Sequence, residues 1–434
     1  MKPGSDRLAQ TLEAELGADA VSREAGLLAA HRIDGKEPWL LCFPADSGQV
    51  AVVLRLCSEV DARLAPWGGG TAMGIGNPPR ELDVVMGLHR LNRLVEHDQA
   101  NLTATTQCGI GLVTLQEQLA RENQFLAFDP PAAAQATVGG IVATNLNGPR
   151  RSYYGSVRDQ VIGLKAVLAS GDAIKAGGKV VKNVAGYDMC KLFVGSLGTL
   201  GIITEVTLRM APIPETAWTL VVSGILPDIG RFADDLVRSK LFPAAVFLSN
   251  KNPSTTPANK GDWYIAVWCE GFEDSVVRQL HDSQAMAERR SLVHETIRGS
   301  EHTRFWETIR DFPLQAGRWV YRVNVPSGST IDCLQTILSW SEVHEHPEIV
   351  GDIIMGVLWI SVDDGDQGAR LFGKLMAKAQ SYHGHAVVLA GPLDLKRKMD
   401  VWGSAPPGFS LMREIKRQFD PKELLNPGRL VGGI

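Results

Sequence analysis

Cysteine is scarce and scattered in this 434-residue chain. Its six cysteines (Cys42, Cys57, Cys108, Cys190, Cys269 and Cys333) form no C-x-x-C pair and no cluster, which excludes a zinc ribbon, an iron–sulfur centre and a disulfide scaffold. They read as buried, reduced thiols. An excess of one charge is also missing: 44 basic residues face 48 acidic ones, a net charge of −4, so nothing marks the chain for nucleic acid or an anionic membrane. The longest apolar run, Ile353 to Val362, is far too short to span a bilayer, and Met1 to Ala20 carries acidic residues instead of the apolar core of a secretory signal. The expectation is a cytoplasmic protein with no direct membrane span.

Two nucleotide fingerprints are absent as well. Gly177-Gly178-Lys179 has part of a phosphate-loop spacing, but Val180 stands where Ser or Thr is required and Ala173 where the first glycine belongs. The run Pro66 to Gly76, Pro-Trp-Gly-Gly-Gly-Thr-Ala-Met-Gly-Ile-Gly, follows a short apolar stretch, yet Pro78-Pro79 forbids the helix that a nicotinamide fingerprint needs.

Glycine, by contrast, is concentrated in three places. In the run just described, Gly68-Gly69-Gly70 strips every Cβ from one stretch of backbone, so its N–H groups can approach a diphosphate, and Thr71 adds a hydroxyl. The second cluster, Ala136-Thr137-Val138-Gly139-Gly140, opens an apolar helical run; it suits either the approach of a flat ligand or tight packing of that helix on a sheet. The third, Gly195-Ser196-Leu197-Gly198-Thr199-Leu200-Gly201, runs straight into the β-branched strand Ile202 to Leu208. Between the second and third lies Gly148 to Asp159, with Arg150, Arg151 and Arg158, a loop composition found both at sites and on solvated surfaces.

Periodicity places the remaining elements. Leu8 to Leu28 reads as a helical lead-in, Pro38 to Pro44 as a strand between prolines, and Asp46 or Ser47 as the cap of a helix through Val50, Val53, Leu54 and Cys57. Two strands over Leu94 to Gly109, a helix from Leu112 to Asn123 and a hairpin around Ser170-Gly171-Asp172 follow. From Trp218 the order β-α-β-β-α-β, a split βαβ unit, reaches Ile297; a linker helix covers Thr303 to Ile309, and the same order recurs from Trp319 to Leu389, with Ile353 to Met355 as its second strand. Two such units pair into one antiparallel sheet on this reading.

Taken together, the glycine clusters, Gly148-Pro149-Arg150-Arg151, Gly155-Ser156-Val157-Arg158-Asp159, Val180 to Asp188 and Asn426-Pro427-Gly428-Arg429 resemble the vanillyl-alcohol oxidase (PCMH-type) FAD-binding family, and within it the FAD-binding subunits of bacterial glycolate oxidases. The resemblance implies an α+β protein: a helical lead-in (1–35), a two-lobed FAD-binding domain (36–214), a cap (215–395) built from the two split units, and a segment (396–434) returning to the FAD domain. It implies FAD held by Trp67, Gly68, Gly69, Gly70, Thr71, Ala72, Thr137, Val138, Gly139, Gly140, Asn145, Gly155, Ser156, Ile202 and Ile203. No His or Cys stands in the loop where covalently flavinylated members attach the cofactor, so non-covalent FAD is expected.

Chemistry in the cap is sparser. Hydroxy-acid-oxidising relatives carry a Gly-Asp-Gly-Asn-x-His stretch whose histidine helps bind a metal, whereas Gly351-Asp352-Ile353-Ile354-Met355-Gly356-Val357-Leu358-Trp359 has no histidine, and no metal is expected. His344-x-His346 and His383-x-His385 could each set two imidazoles on one strand face for a metal, but abutting Pro or Gly in turns they read as surface pairs. Arg318 and Arg322 share a strand face and either grip a substrate carboxylate or pair with carboxylates of the cap; Tyr187 and Lys182 are weaker candidates. The implied function is the FAD-binding subunit of a complex that oxidises glycolate or another 2-hydroxy acid beside a homologous flavoprotein and an iron–sulfur subunit. A free-standing 2-hydroxy-acid dehydrogenase and a flavin-free structural subunit are the alternatives.

Overall fold

A computed structural model describes residues 4–178, 187–250, 262–314, 319–340, 347–363 and 367–434. The chain divides into two compact units. One comprises Met1–Leu146, Ser156–Pro212 and Lys396–Ile434; the other comprises Asn147–Gly155 and Ile213–Leu395.

The first unit has two lobes. In the first lobe the strands run in the order Val21–Ser22, Leu40–Cys42, Val84–Gly87, Leu64–Trp67, the last three parallel. Leu40–Cys42 is buried throughout, as expected of a strand in a parallel sheet covered on both faces. Helix Ser47–Glu59 packs Val50, Val53, Leu54 and Cys57 into the core below it. Its N-terminus is capped by Asp46, whose Oδ1 accepts from the Gln49 N–H at 2.9 Å. The lead-in is shorter than its apolar spacing predicts: helix Ser5–Leu16 ends at Gly17, whose φ of +97° breaks the helix, and the chain then forms the edge strand Val21–Ser22. Leu8, Leu12 and Leu16 lie in the same core as Val50 and Val53.

The second lobe is an antiparallel five-stranded sheet in the order Leu94–Asp98, Thr103–Gln107, Ile202–Arg209, Val161–Val167, Ala173–Gly177. Helices Leu112–Ala120 and Val138–Thr144 bury Leu115, Leu119, Val138, Ile141 and Val142 with Val206 and Leu208 of the sheet.

The second unit is one eight-stranded antiparallel sheet. Its order is Val293–Ile297, Thr216–Gly224, Trp263–Gly271, Ala245–Ser249, Glu348–Asp352, Val357–Val362, Trp319–Asn324, His385–Ala390. Each half is one split βαβ unit, and the two meet through their second strands, Phe247 opposite Asp352 and Ser249 opposite Val350. That second strand of the second half is Glu348–Asp352, so the predicted strand Ile353 to Met355 is a turn instead. Asp352 Oδ1 accepts from the Met355 N–H at 3.0 Å, and Gly356 at φ +66° closes the turn into Val357–Val362.

Side chains alternate across this sheet. In Trp319–Asn324 the rings of Trp319 and Tyr321 stack, Tyr321 stacks on Phe372 of helix Gly368–Ser381, and its hydroxyl donates to the Gly368 carbonyl at 2.8 Å. Arg322 therefore projects from the opposite face. On that face the first half of the sheet is covered by helix Gly299–Asp311, whose Phe305 and Trp306 pack with Phe247 and Trp268.

Candidate active site and cofactor cleft

The three glycine clusters meet within the first unit. An ideal Cβ at Gly68 would stand 2.2 Å from Thr137 Oγ1, and one at Gly69 would stand 1.7 Å from the Gln135 carbonyl oxygen, so the first loop lies directly against the second cluster. Gly198 packs on Pro66, and the Leu197 N–H donates to the Ala143 carbonyl at 2.8 Å, which joins the third cluster to both others. Thr137 caps helix Val138–Thr144 by accepting from the Gly140 N–H at 3.3 Å.

Between these segments lies a cleft open to solvent. Gly68, Gly69, Gly70, Thr71, Ala72, Thr137, Gly139, Gly140, Ile202 and Ile203 line it. Trp67, Val138 and Asn145 belong to the same neighbourhood but not to the lining. Trp67 packs its ring under Gly70 and beside His31, Val138 is buried in the lobe core, and Asn145 ends helix Val138–Thr144 in the left-handed region at φ +52°. Ser156 shares a reciprocal hydrogen-bond pair with Asp159 that caps Val157–Gln160. Gly155, at φ +87°, falls in the second unit.

The glycines have a second task. A Cβ at Gly139 would stand 2.5 Å from Cys108 Cβ, so this glycine lets the helix seat on the end of strand Thr103–Gln107. Cys108 also lines the cleft, but burial, with the nearby charge of Glu205, pushes its thiol far above the ordinary range; it is a packing residue and not a nucleophile. Among the lining residues there is no carboxylate, and Arg429 is the charged one. Main-chain groups, a hydroxyl and a cation beside apolar walls suit a diphosphate joined to flat rings, and FAD fits that description.

The second unit carries its own polar group of residues. Arg150, Arg151, Tyr153 and Tyr154 of loop Asn147–Gly155 lie with Glu270, Trp268 and His302. Arg150 is 3.9 Å from the buried carboxylate of Glu270 and stands over the Trp268 ring. The Tyr154 hydroxyl is held well above its ordinary pKa by burial and by its hydrogen bond and charge contact with Glu270. His302 Nδ1 is 2.9 Å from Thr219 Oγ1, which also accepts from Trp306 Nε1 at 2.7 Å; burial, with the charge of Arg150, lowers its pKa to about 4.

Arg322 stands across the sheet from Trp359. Its side chain as a whole is half-buried, but its Nε is shut off from solvent and has no hydrogen-bond partner. Desolvation, with the neighbouring positive charge of Arg151, brings its pKa down to about 10. Among the described residues no carboxylate pairs with Arg322 or with Arg151. Arg318, Lys182 and the pair His344 and His346 lie outside the described residues. Tyr187 is 93% exposed, a surface position that encloses no substrate. His383 is exposed, and the described residues contain no group of three or more metal-ligating side chains.

Fold and cleft fit a class: proteins that hold a flavin dinucleotide with glycine-lined main chain, with a second α+β unit beside that domain in sequence. Residues 38–177 match the family described as FAD binding domain, and residues 402–430 the family described as FAD linked oxidases, C-terminal domain. The chain is 28% identical to glycolate oxidase subunit GlcD of Bacillus subtilis (strain 168), over 91% of this chain and 89% of that one. It is 29% identical to glycolate oxidase subunit GlcE of Escherichia coli (strain K12), over 84% of this chain and 91% of that one. The solved structure of p-cresol methylhydroxylase with substrate bound superposes with a TM-score of 0.77 at 18% identity, covering 99% of this chain and 97% of that one. The fold is of the vanillyl-alcohol oxidase type, the matched domains and relatives are those of FAD-linked oxidoreductases, and the cofactor is FAD.

Proposed function

We propose that this chain oxidises a small 2-hydroxy acid to the 2-oxo acid, with the acid's carboxylate held by Arg322 and Arg151. The observation that carries this reading is the pair of neighbouring guanidinium groups in the second unit that no carboxylate of the described residues neutralises. Buried or half-buried like charges are costly without a counter-ion, and a planar carboxylate matches the guanidinium fork. When bound, FAD would supply the acceptor for the hydride equivalent from the carbon bearing the hydroxyl, the hydroxyl proton leaving to solvent. Gly68 to Ala72, Thr137, Gly139, Gly140, Ile202 and Ile203 would hold it, without a covalent bond, because the one cleft thiol, Cys108, is protonated and packed.

The same reading gives the chain partners. GlcD and GlcE are named as subunits of glycolate oxidase, and glycolate is the simplest acid the arginine pair would take. In place of the metal-binding histidine stretch of hydroxy-acid-oxidising relatives, this chain has a tight turn after Asp352, whose carboxylate is occupied by the Met355 N–H. That favours work as a subunit in the cytoplasm, beside a homologous flavoprotein and an iron–sulfur subunit, over a self-sufficient dehydrogenase. No helix among the described residues is long and apolar enough to cross a membrane.

An anaerobic titration of the FAD-loaded chain with glycolate, D-lactate and longer 2-hydroxy acids tests the proposal. Bleaching of the flavin near 450 nm is expected with the partner subunits present, and bleaching by the chain alone would move it to the free-standing class. Arg322→Met removes a charge-assisted contact worth about 1.5–3 kcal/mol, so half-bleaching should need roughly 10–150 times more acid. An unchanged titration in that variant would refute the carboxylate assignment.

A further inference from the structure

Beside the glycine loop sits a cluster of charges, one of which, Arg429, reaches the cleft. Asp34 occupies the turn Ile33–Lys36 in the left-handed region at φ +45°. Lys396 Nζ donates to both of its carboxylate oxygens, at 3.2 and 3.1 Å, and to the Gly74 carbonyl at 2.7 Å. Arg429 Nη1 donates to Asp34 Oδ2 at 3.2 Å and to the Asn77 carbonyl at 3.1 Å. Its Nη2 donates to the carbonyls of Met73 at 2.6 Å and Ile75 at 2.5 Å. Two cations from the segment Lys396–Ile434 thus hold four consecutive or near-consecutive carbonyls of the loop.

The charges in this cluster do not balance. Lys396 and Arg429 are 3% and 2% exposed, and Asp34 is the one carboxylate acting on both. Asp400, the next acid along, is engaged by Asn77 Nδ2, by the Trp402 N–H and by the Gly432 N–H. One buried positive charge is left over. Arg429 is also the charged residue lining the cleft, and its Nε is buried without a partner. A buried surplus charge calls for a counter-ion.

We infer that Lys396 and Arg429 are the electrostatic partners of the cofactor's diphosphate, and that cofactor binding locks the segment Lys396–Ile434 against the glycine loop. The inference rests on FAD occupying this cleft. Four carbonyls that follow the glycine run are occupied by the two cations, and the leftover positive charge is opposite in sign to the ligand. Seating of the segment and occupancy of the cleft then favour each other by the same factor.

The test compares FAD with riboflavin, which lacks the diphosphate, on flavin-stripped full-length chain. In Arg429→Met the ratio of the riboflavin to the FAD dissociation constant should fall at least 30-fold, with FAD binding weakened and riboflavin binding unchanged within about twofold. Equal weakening of both ligands would reduce Arg429 to a structural brace and overturn the inference, as would undiminished FAD binding. Lys396→Met retains the guanidinium and its carbonyl contacts, and it carries the same comparison should Arg429→Met not fold. Limited proteolysis of the wild type adds a second reading: FAD, but not riboflavin, should slow cleavage beyond residue 396. A wild-type chain that binds no FAD would defeat the cofactor placement itself, a different result from a variant that binds it as well as wild type.

Discussion

Acid should weaken the second unit through one histidine. His302 lies under the Trp268 ring, and its Nδ1 faces Thr219 Oγ1. Thr219 Oγ1 also accepts from Trp306 Nε1, and with a second lone pair and one proton it can pair with His302 Nδ1 in either direction. Protonation would place a positive charge in a buried site near Arg150. Burial first, and Arg150 second, lower the pKa from 6.5 to about 4. The sign follows from which state holds the extra proton. Above pH 6.5 the ring is neutral folded and unfolded, and it contributes no slope. Between 6.5 and 4 the unfolded chain is protonated and the folded one is not, so stability drops as pH falls; below 4 the loss is complete. The full loss is about 3 kcal/mol, of which roughly 2 kcal/mol is reached by pH 5. Denaturant unfolding of wild type and His302→Gln at pH 7 and pH 5, followed by tryptophan fluorescence, measures it as a double difference. The variant should lose about 2 kcal/mol less than wild type on acidification. A double difference below about 0.5 kcal/mol, or a ring carbon resonance of His302 that titrates near 6.5, would refute the reasoning.

Two further outcomes follow from packing. Gly69→Ala puts a Cβ 1.7 Å from the Gln135 carbonyl oxygen, a backbone atom that cannot swing aside, whereas a Cβ at Gly74 meets nothing within 4 Å; the first variant should purify without flavin and the second should stay yellow, by the absorbance ratio at 450 and 280 nm. Asp420 is fully buried and accepts from Lys416 Nζ at 2.7 Å and from the N–H groups of Leu424 and Leu425, both at 2.8 Å. Asp420→Ala leaves Lys416 unpaired and should cost about 3–5 kcal/mol; for a unit of this size that lowers Tm by roughly 6–20 °C, read by calorimetry. A shift under about 2 °C would mean that water or the carbonyls of Thr199 and Leu425 suffice for the ammonium.

What was readable in the sequence was whatever is decided locally. The strand between Pro38 and Pro44, the Asp46 cap and the repeated β-α-β-β-α-β order each depend on a few neighbouring residues, and each stands in the structure. Local signals also misled. Alanine-rich spacing carried the lead-in helix past Gly17, where positive φ ends it, and apolar Ile353 to Met355 imitated a strand although Asp352 and Gly356 make a turn there. The glycines were legible as close approach, but not what they approach: Gly69 and Gly139 admit Gln135 and Cys108. Least legible were contacts between distant positions. Nothing near Asp34 or Lys396 announces that they meet 362 residues apart, and Arg151 was one arginine among three in a loop until the fold set it beside Arg322.

The strand Leu64–Trp67 is the outer strand of its sheet, and its free edge is closed by Leu424 and Asn426, with the Leu64 N–H donating to Leu424 and the Asn426 N–H donating back to Leu64. A ribosome makes those closing residues about 360 positions later, which at ordinary elongation rates is tens of seconds. Through that interval the nascent chain displays an unpaired β-edge, the kind of surface that recruits stray strands. Yield in a heterologous host should therefore depend on chaperone capacity and on temperature during translation, even for variants whose finished form is as stable as the wild type.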